Sequence, residues 1–259
     1  IENFFHQMKR VGYCFSDSGP KILTLFFMPL LLAFFLLSYL ATPCSAQGKQ
    51  RPLSPVKNIP GLPRVLLIGD SISIGYTLPT RQALQGVANV HRIPTNGGPT
   101  SKGLKNIDSW LGSSKWDVIH FNWGLHDLCY RHPNSTTQGN RDKANGSVTH
   151  SLQEYAANLE KLVVRMKQTG ARLIFATTTP VPEGEAGRKK GDDVLYNRAA
   201  LAVMRKHEVG INDLHALMAN RMSQFGIRPG NVHFTAEGSI MLAGNVSKAL
   251  KEVLLQVKK

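Results

Sequence analysis

Val65-Leu66-Leu67-Ile68-Gly69-Asp70-Ser71-Ile72-Ser73 runs from an unbroken apolar stretch into a glycine, an acid and two hydroxyls. Apolar residues at consecutive positions mark a strand covered on both faces, as in a parallel sheet. The glycine lets the chain turn sharply at the strand's end. Open α/β sheets bind ligands outside the carboxyl ends of their strands. Ser71 therefore falls where a nucleophile would sit, provided a histidine reaches it. On these residues alone a helix cap is an equal reading, because Asp and Ser both favour that position.

Working outward, strand and helix patterns alternate. Further strands are expected at Asn89–Ile93, Asp117–Asn122, Ala171–Thr177 and Val209–Asn212. The segment from Ser71 to Gly86 is expected to be largely helical. Leu152, Tyr155, Leu159, Leu162, Val163 and Met166 recur at helical spacing within Ser151–Thr169. Ser151 with Glu154 three residues on forms a capping-box signature, and Gly170 ends the helix. Asp193–His207 and Thr235–Val257 complete the helices, and no internal repeat is visible. The alternation implies an α/β fold, a five-stranded parallel sheet between two helical layers.

Three more polar or glycine-rich turns follow the first. They are Asn96-Gly97-Gly98-Pro99-Thr100, Asn122-Trp123-Gly124-Leu125-His126-Asp127 and Gly230-Asn231-Val232-His233-Phe234-Thr235. In this order and spacing, from Arg64 to the C-terminus, they resemble the SGNH hydrolases, the superfamily of GDSL-type esterases and lipases. The resemblance implies a flavodoxin-like, three-layer fold with Ser71 as nucleophile and His233 as base. It assigns the oxyanion donors to the Ser71 N–H, to Gly97 or Gly98, and to the side chain within the Gly124-x-x-Asp127 frame.

Two positions depart from the family pattern. His126 stands where the family has an asparagine; a neutral imidazole also donates one N–H. Asp127 is expected either to orient that ring or to hold the turn, and Asn122 is a second amide able to take over the donor role. Gly230 stands where the family has an aspartate three residues before the base. His233 must then be held by Asn231, by a main-chain carbonyl, or by a remote acid such as Asp213 or Asp193. Asp70 supports the nucleophile turn. Some members of the superfamily work with a serine–histidine dyad. The expected activity is hydrolysis of a small acyl ester, foremost an acetyl ester on a carbohydrate. A non-catalytic carbohydrate-binding module and an acyltransferase on the same fold are the alternatives.

The chain has 259 residues, enough for one α/β domain and an N-terminal appendage. In residues 22–41 the only polar side chains besides Tyr39 are Thr24 and Ser38. Lys21 precedes this run, and Thr42-Pro43-Cys44-Ser45-Ala46 follows it. That is the form of a secretory signal peptide cleaved after Ala46, with an uncleaved membrane anchor as the alternative. The expected organisation is an extension and export segment over 1–46, a linker over 47–62 and a hydrolase domain over 63–259. Pro52, Pro55, Pro60 and Pro63 make the linker read as an extended tether. The expected location is outside the cytoplasm, with membrane contact only through the N-terminal segment.

The formal charge is +14, and residues 1–46 hold only three basic and two acidic residues. No aromatic-interleaved basic stripe or recognition helix points to nucleic acid. Of the three cysteines, Cys14, Cys44 and Cys129, only Cys129 lies in the domain, where it reads as a buried apolar residue. His207 and His215 lack ligand spacing, so no metal or cofactor is expected. Leu128–His150 and Val181–Asp192 are long, polar and follow strands, so they should emerge at the Ser71 edge. They carry Arg131, Arg141, Lys143, Arg188, Lys189 and Lys190, expected to rim the site and favour an anionic acylated glycan.

Overall fold

The computed structural model describes residues 51–257. The expected export segment and cleavage position, with Cys14 and Cys44, lie outside the described residues. Within them the elements follow as β1 (Arg64–Ile68), α1 (Ser71–Ala83), β2 (Asn89–Arg92), α2 (Thr100–Leu111) and β3 (Val118–Phe121). Next come β4 (Tyr130–Arg131), β5 (Ser147–Val148), α3 (Leu152–Lys167), β6 (Arg172–Ala176) and α4 (Asp192–Lys206). The chain ends through β7 (Gly210–Asn212), α5 (Leu214–Met218), α6 (Met222–Phe225) and α7 (Ala236–Val257).

Five strands form one parallel sheet in the order β2-β1-β3-β6-β7. β1 and β3 are central, and their side chains are buried from Val65 to Ile68 and from Val118 to Phe121. This is why the residues from Val65 to Ile68 and from Val118 to Phe121 are apolar or uncharged: both faces are covered there. α1 packs on α7 on one face, while α3 packs between α2 and α4 on the other. Ser151 accepts the Glu154 N–H while the Glu154 carboxylate accepts the Ser151 N–H, so the capping box forms as expected.

Three features differ from the sequence reading. α2 was not anticipated, and neither were α5 and α6. Leu128–His150 holds the antiparallel β4–β5 hairpin, with Tyr130 opposite Val148 and Arg131 opposite Ser147. Residues 51–62, the described part of the expected extended tether, are strapped to the domain. Buried Asn89 accepts the Ile59 N–H and donates to the carbonyls of Ile59 and Leu62. Arg81 in α1 donates to the carbonyls of Arg51 and Ser54. Proline favours an extended backbone, but the anchors come from residues about thirty positions away.

Candidate active site

The carboxyl ends of β1, β2, β3 and β6 meet at one edge. At the end of β1, Asp70 caps α1, its side chain accepting the Ile72 N–H at 2.9 Å. Ser71 is thus the first residue of the helix, half-buried, and its N–H makes no hydrogen bond among the described residues. Its Oγ lies 2.9 Å from His233 Nε2. The two residues are 162 positions apart and are joined only by the fold.

Asn231 holds the other side of the imidazole. Its Oδ1 accepts the His233 backbone N–H at 2.9 Å and faces His233 Nδ1 at 2.8 Å. A backbone N–H can only donate, so it fixes which end of the amide faces the histidine. Oδ1 then requires the proton on Nδ1 and leaves the Nε2 lone pair for Ser71 Oγ. Neither remote acid takes part. Asp193 accepts from His215 Nε2, and Asp213 accepts from Thr177 Oγ1 and the Ala216 N–H. Backbone bonds from Ile227 N–H to the His233 carbonyl and from Thr235 N–H to the Phe225 carbonyl hold the histidine turn.

His233 is held below the ordinary histidine range chiefly by burial, with Arg188 and Arg141 acting in the same direction against Asp70. His126 is lowered likewise, chiefly by burial, with Arg188 and Arg131 acting in the same direction against Asp70 and Asp127. Both rings therefore stay neutral near pH 7. No hydrogen bond engages the His126 ring among the described residues.

Other expected roles move. The Gly97 N–H donates to the Gly69 carbonyl at 2.8 Å, and the Gly98 N–H to Asn96 Oδ1 at 2.9 Å. Both amides are engaged, which removes them from the set of free donors. Asn122 donates one amide hydrogen to the Ala176 carbonyl at 2.7 Å, tying the end of β3 to β6. Buried Asp127 accepts the Thr100 N–H and hydroxyl at the start of α2, and pairs with His150 Nδ1 at 2.8 Å. It holds the turn and not the His126 ring.

The cationic rim is largely replaced by a lock between the two long loops. The buried carboxylate of Glu185 accepts from Arg188 Nη1 at 2.9 Å and Arg141 Nη1 at 2.8 Å. Arg188 Nε donates to the Leu125 carbonyl at 2.6 Å, next to His126. Tyr130 N–H to the Gly187 carbonyl and Lys143 N–H to the Ala186 carbonyl complete the join. Arg131 is turned onto Thr149 and the Gly139 carbonyl, and Lys189 lies over the Tyr130 ring. Glu185 carries no motif, so its part was not readable from sequence. Cys129 is buried and free.

The family comparison decides what this edge belongs to. Residues 67–239 match the GDSL-like lipase/acylhydrolase family, from β1 into α7. The chain belongs to that family. This GDSL-family chain is an SGNH-type ester hydrolase, and solved structures share its fold. The acetyl xylan esterase AlAXEase superimposes with TM-score 0.59 at 14% identity, over 72% of this chain and 99% of that one. The lipase/acylhydrolase from Enterococcus faecalis gives 0.60 at 17%, over 74% and 96%. Axe2, an acetylxylan esterase from Geobacillus stearothermophilus, gives 0.58 at 17%, over 73% and 94%. No curated protein sequence matches the chain. At these identities the likeness carries the fold, and the chemistry rests on the side chains of this hydrolase.

Proposed function

We propose that this hydrolase is an exported serine esterase that removes a small acyl group, foremost acetyl, from a carbohydrate. The observation that carries the mechanism is the chain of contacts Ser71 Oγ, His233 Nε2, His233 Nδ1 and Asn231 Oδ1. Ser71 Oγ attacks the ester carbonyl as His233 Nε2 takes its proton. The oxyanion that forms is met by the unengaged Ser71 N–H at the start of α1 and by the neutral imidazole of His126. Collapse breaks the carbon–oxygen bond to the sugar, whose alkoxide takes the proton from His233. Water then attacks the acyl-serine with His233 again as base, releasing the acid and restoring the Ser71 hydroxyl.

Asn231 fixes the tautomer and the ring plane, but it brings no charge to offset the imidazolium. The expected catalyst is therefore slower than one with a carboxylate in that place. Acetyl as the acyl group is supported by the acetyl xylan esterases among the structures sharing this fold. Export is supported by the apolar run over residues 22–41 and the small residues after it. An anionic sugar rests on the basic balance of the chain, +14, because Arg188 is engaged by Glu185 and by the Leu125 carbonyl.

The test is hydrolysis of para-nitrophenyl acetate by the purified protein beside Ser71→Ala and His233→Ala. Turnover lost in both variants is expected. A folded protein whose turnover matches that of the variants would instead favour a binding module on this fold. Acetylated xylan and acetylated uronate polymers, compared for acetate release, then separate neutral from anionic substrates.

A further inference from the structure

Arg92 is a charged residue at the end of a buried strand, and it lies beneath the nucleophile turn with 8% of its surface exposed. Its Nη2 donates to the carbonyls of Gly69 at 2.9 Å and Asp70 at 3.0 Å, and to Ser73 Oγ at 2.7 Å. Its Nη1 donates to the carbonyls of Ile93 at 2.9 Å and Thr95 at 2.7 Å. One guanidinium thus joins the turn carrying Ser71 to the turn carrying Gly97 and Gly98. The Gly97 N–H, donated to the Gly69 carbonyl, makes a second join between them.

We propose that Arg92 is a positioning residue that aims the Ser71 N–H at the oxyanion. The inference rests on the reading of Ser71 as nucleophile. In a trans peptide the C=O and N–H point in opposite directions within one plane. The Asp70 carbonyl also accepts the Ile74 N–H of α1 at 3.1 Å, so Arg92 and the first helical turn together draw it down and turn the Ser71 N–H up, away from the guanidinium. A charge-assisted bond to that carbonyl also polarises the same peptide, making its N–H a stronger donor. A lysine cannot reproduce this, because one ammonium on a flexible stem does not span the two carbonyl sets. Burial of the guanidinium is consistent with the role: the bonds operate where water does not compete. Desolvation moves its own pKa down to about 10, still fully charged at neutral pH.

The experiment measures kcat, KM and the pH profile of para-nitrophenyl acetate hydrolysis for Arg92→Met, Arg92→Lys and Ser73→Ala, with Ser71→Ala as reference. Losing one well-aimed oxyanion donor costs roughly 10²–10³ in kcat. The expectation for Arg92→Met is a kcat loss of about tenfold to a hundredfold, with KM nearly unchanged. The acid limb should not move, because His233 keeps its partners. Ser73→Ala removes only the side chain shared by Arg92 and the Asp70 carbonyl, and should give a smaller loss of the same kind. It serves where Arg92→Met does not fold. Arg92→Gly supplied with guanidinium ion should recover part of kcat. Wild-type kcat in a folded Arg92→Met, or in Ser73→Ala if the former does not fold, overturns the inference while leaving Ser71 as nucleophile. A loss seen only in KM, or a shifted acid limb, also overturns it. Full activity in Ser71→Ala would remove the underlying reading, and the inference with it.

Discussion

Gly230 sits directly against the carbonyl of Gly184: a Cβ on Gly230 would stand 2.8 Å from that oxygen. Its φ of +68° is also a conformation that side chains avoid. The position where SGNH relatives carry their aspartate is therefore filled, in this protein, by the backbone of the 181–191 loop. Restoring the acid by Gly230→Asp should cost roughly 2–4 kcal/mol, from backbone strain and overpacking together. Thermal melting should show the loss, and para-nitrophenyl acetate turnover should not rise. A stable Gly230→Asp with higher kcat would show that the loop yields and that the glycine is not imposed by it.

Asn231 offers the place where a carboxylate does fit. Asn231→Ala frees the ring and its tautomer, and kcat should fall on the order of a hundredfold. Asn231→Asp keeps the accepting oxygen and adds a negative charge beside Nδ1. That charge favours imidazolium, so the His233 pKa rises and the acid limb of activity moves to higher pH. Stabilising the imidazolium should also raise the plateau kcat. A pH–rate profile of both variants checks the two effects separately.

Arg188 couples loop stability to the base. Its side chain is 6% exposed and that of Glu185 is 0% exposed. Removing one partner of such a pair typically costs about 3–5 kcal/mol. Arg141 remains on the carboxylate, so Arg188→Met should fall near the lower end of that range, measured by denaturant unfolding. Burial is the main cause of the lowered His233 pKa and Arg188 adds to it, so the acid limb of any folded variant should move modestly to higher pH. Lys190, whose 4.0 Å pair with Glu183 is exposed on both sides, should be replaceable by alanine without measurable loss of stability.

The parts legible in the sequence are those specified locally. An apolar run bounded by Gly69, a capping box at Ser151 and Glu154, and His233 before a helical pattern are each contained in a few residues. The parts missed depend on distant partners. α2 begins at Thr100 behind the N-cap Pro99, which supplies no side-chain cap; Asp127, 27 residues beyond Thr100, supplies the acceptor for its N–H. Arg92 reads as a strand charge until the fold places it under Gly69 and Asp70. The 51–62 segment looks free until Asn89 and Arg81 are seen to bind its carbonyls. The Gly97 and Gly98 amides fit the donor pattern by position, and only the hydrogen bonds to Gly69 and Asn96 show them occupied.

His120 makes the domain sensitive to acid away from the site. It lies fully buried on β3, its ring edge-on to Tyr76 at 6.2 Å, with Nε2 3.1 Å from Asn212 Nδ2. Burial lowers its pKa from 6.5 to about 4. Above pH 6.5 the ring is neutral in both folded and unfolded chains, so pH has no leverage through it. Between 6.5 and 4 the unfolded chain takes up the proton first, and stability falls as pH falls. Below 4 the loss levels off, at up to about 3 kcal/mol. His91, lowered to about 4 by burial and by Arg64 and Arg81, pulls the same way. His150 opposes them: its bond to Asp127 raises its pKa, so it favours the folded state on protonation. Comparing the wild type with His120→Gln isolates the buried ring. The variant should be less stable at pH 7.5, and its stability should fall less between pH 6.5 and 4. Parallel pH–stability curves from denaturant unfolding would show that His120 does not carry the acid sensitivity.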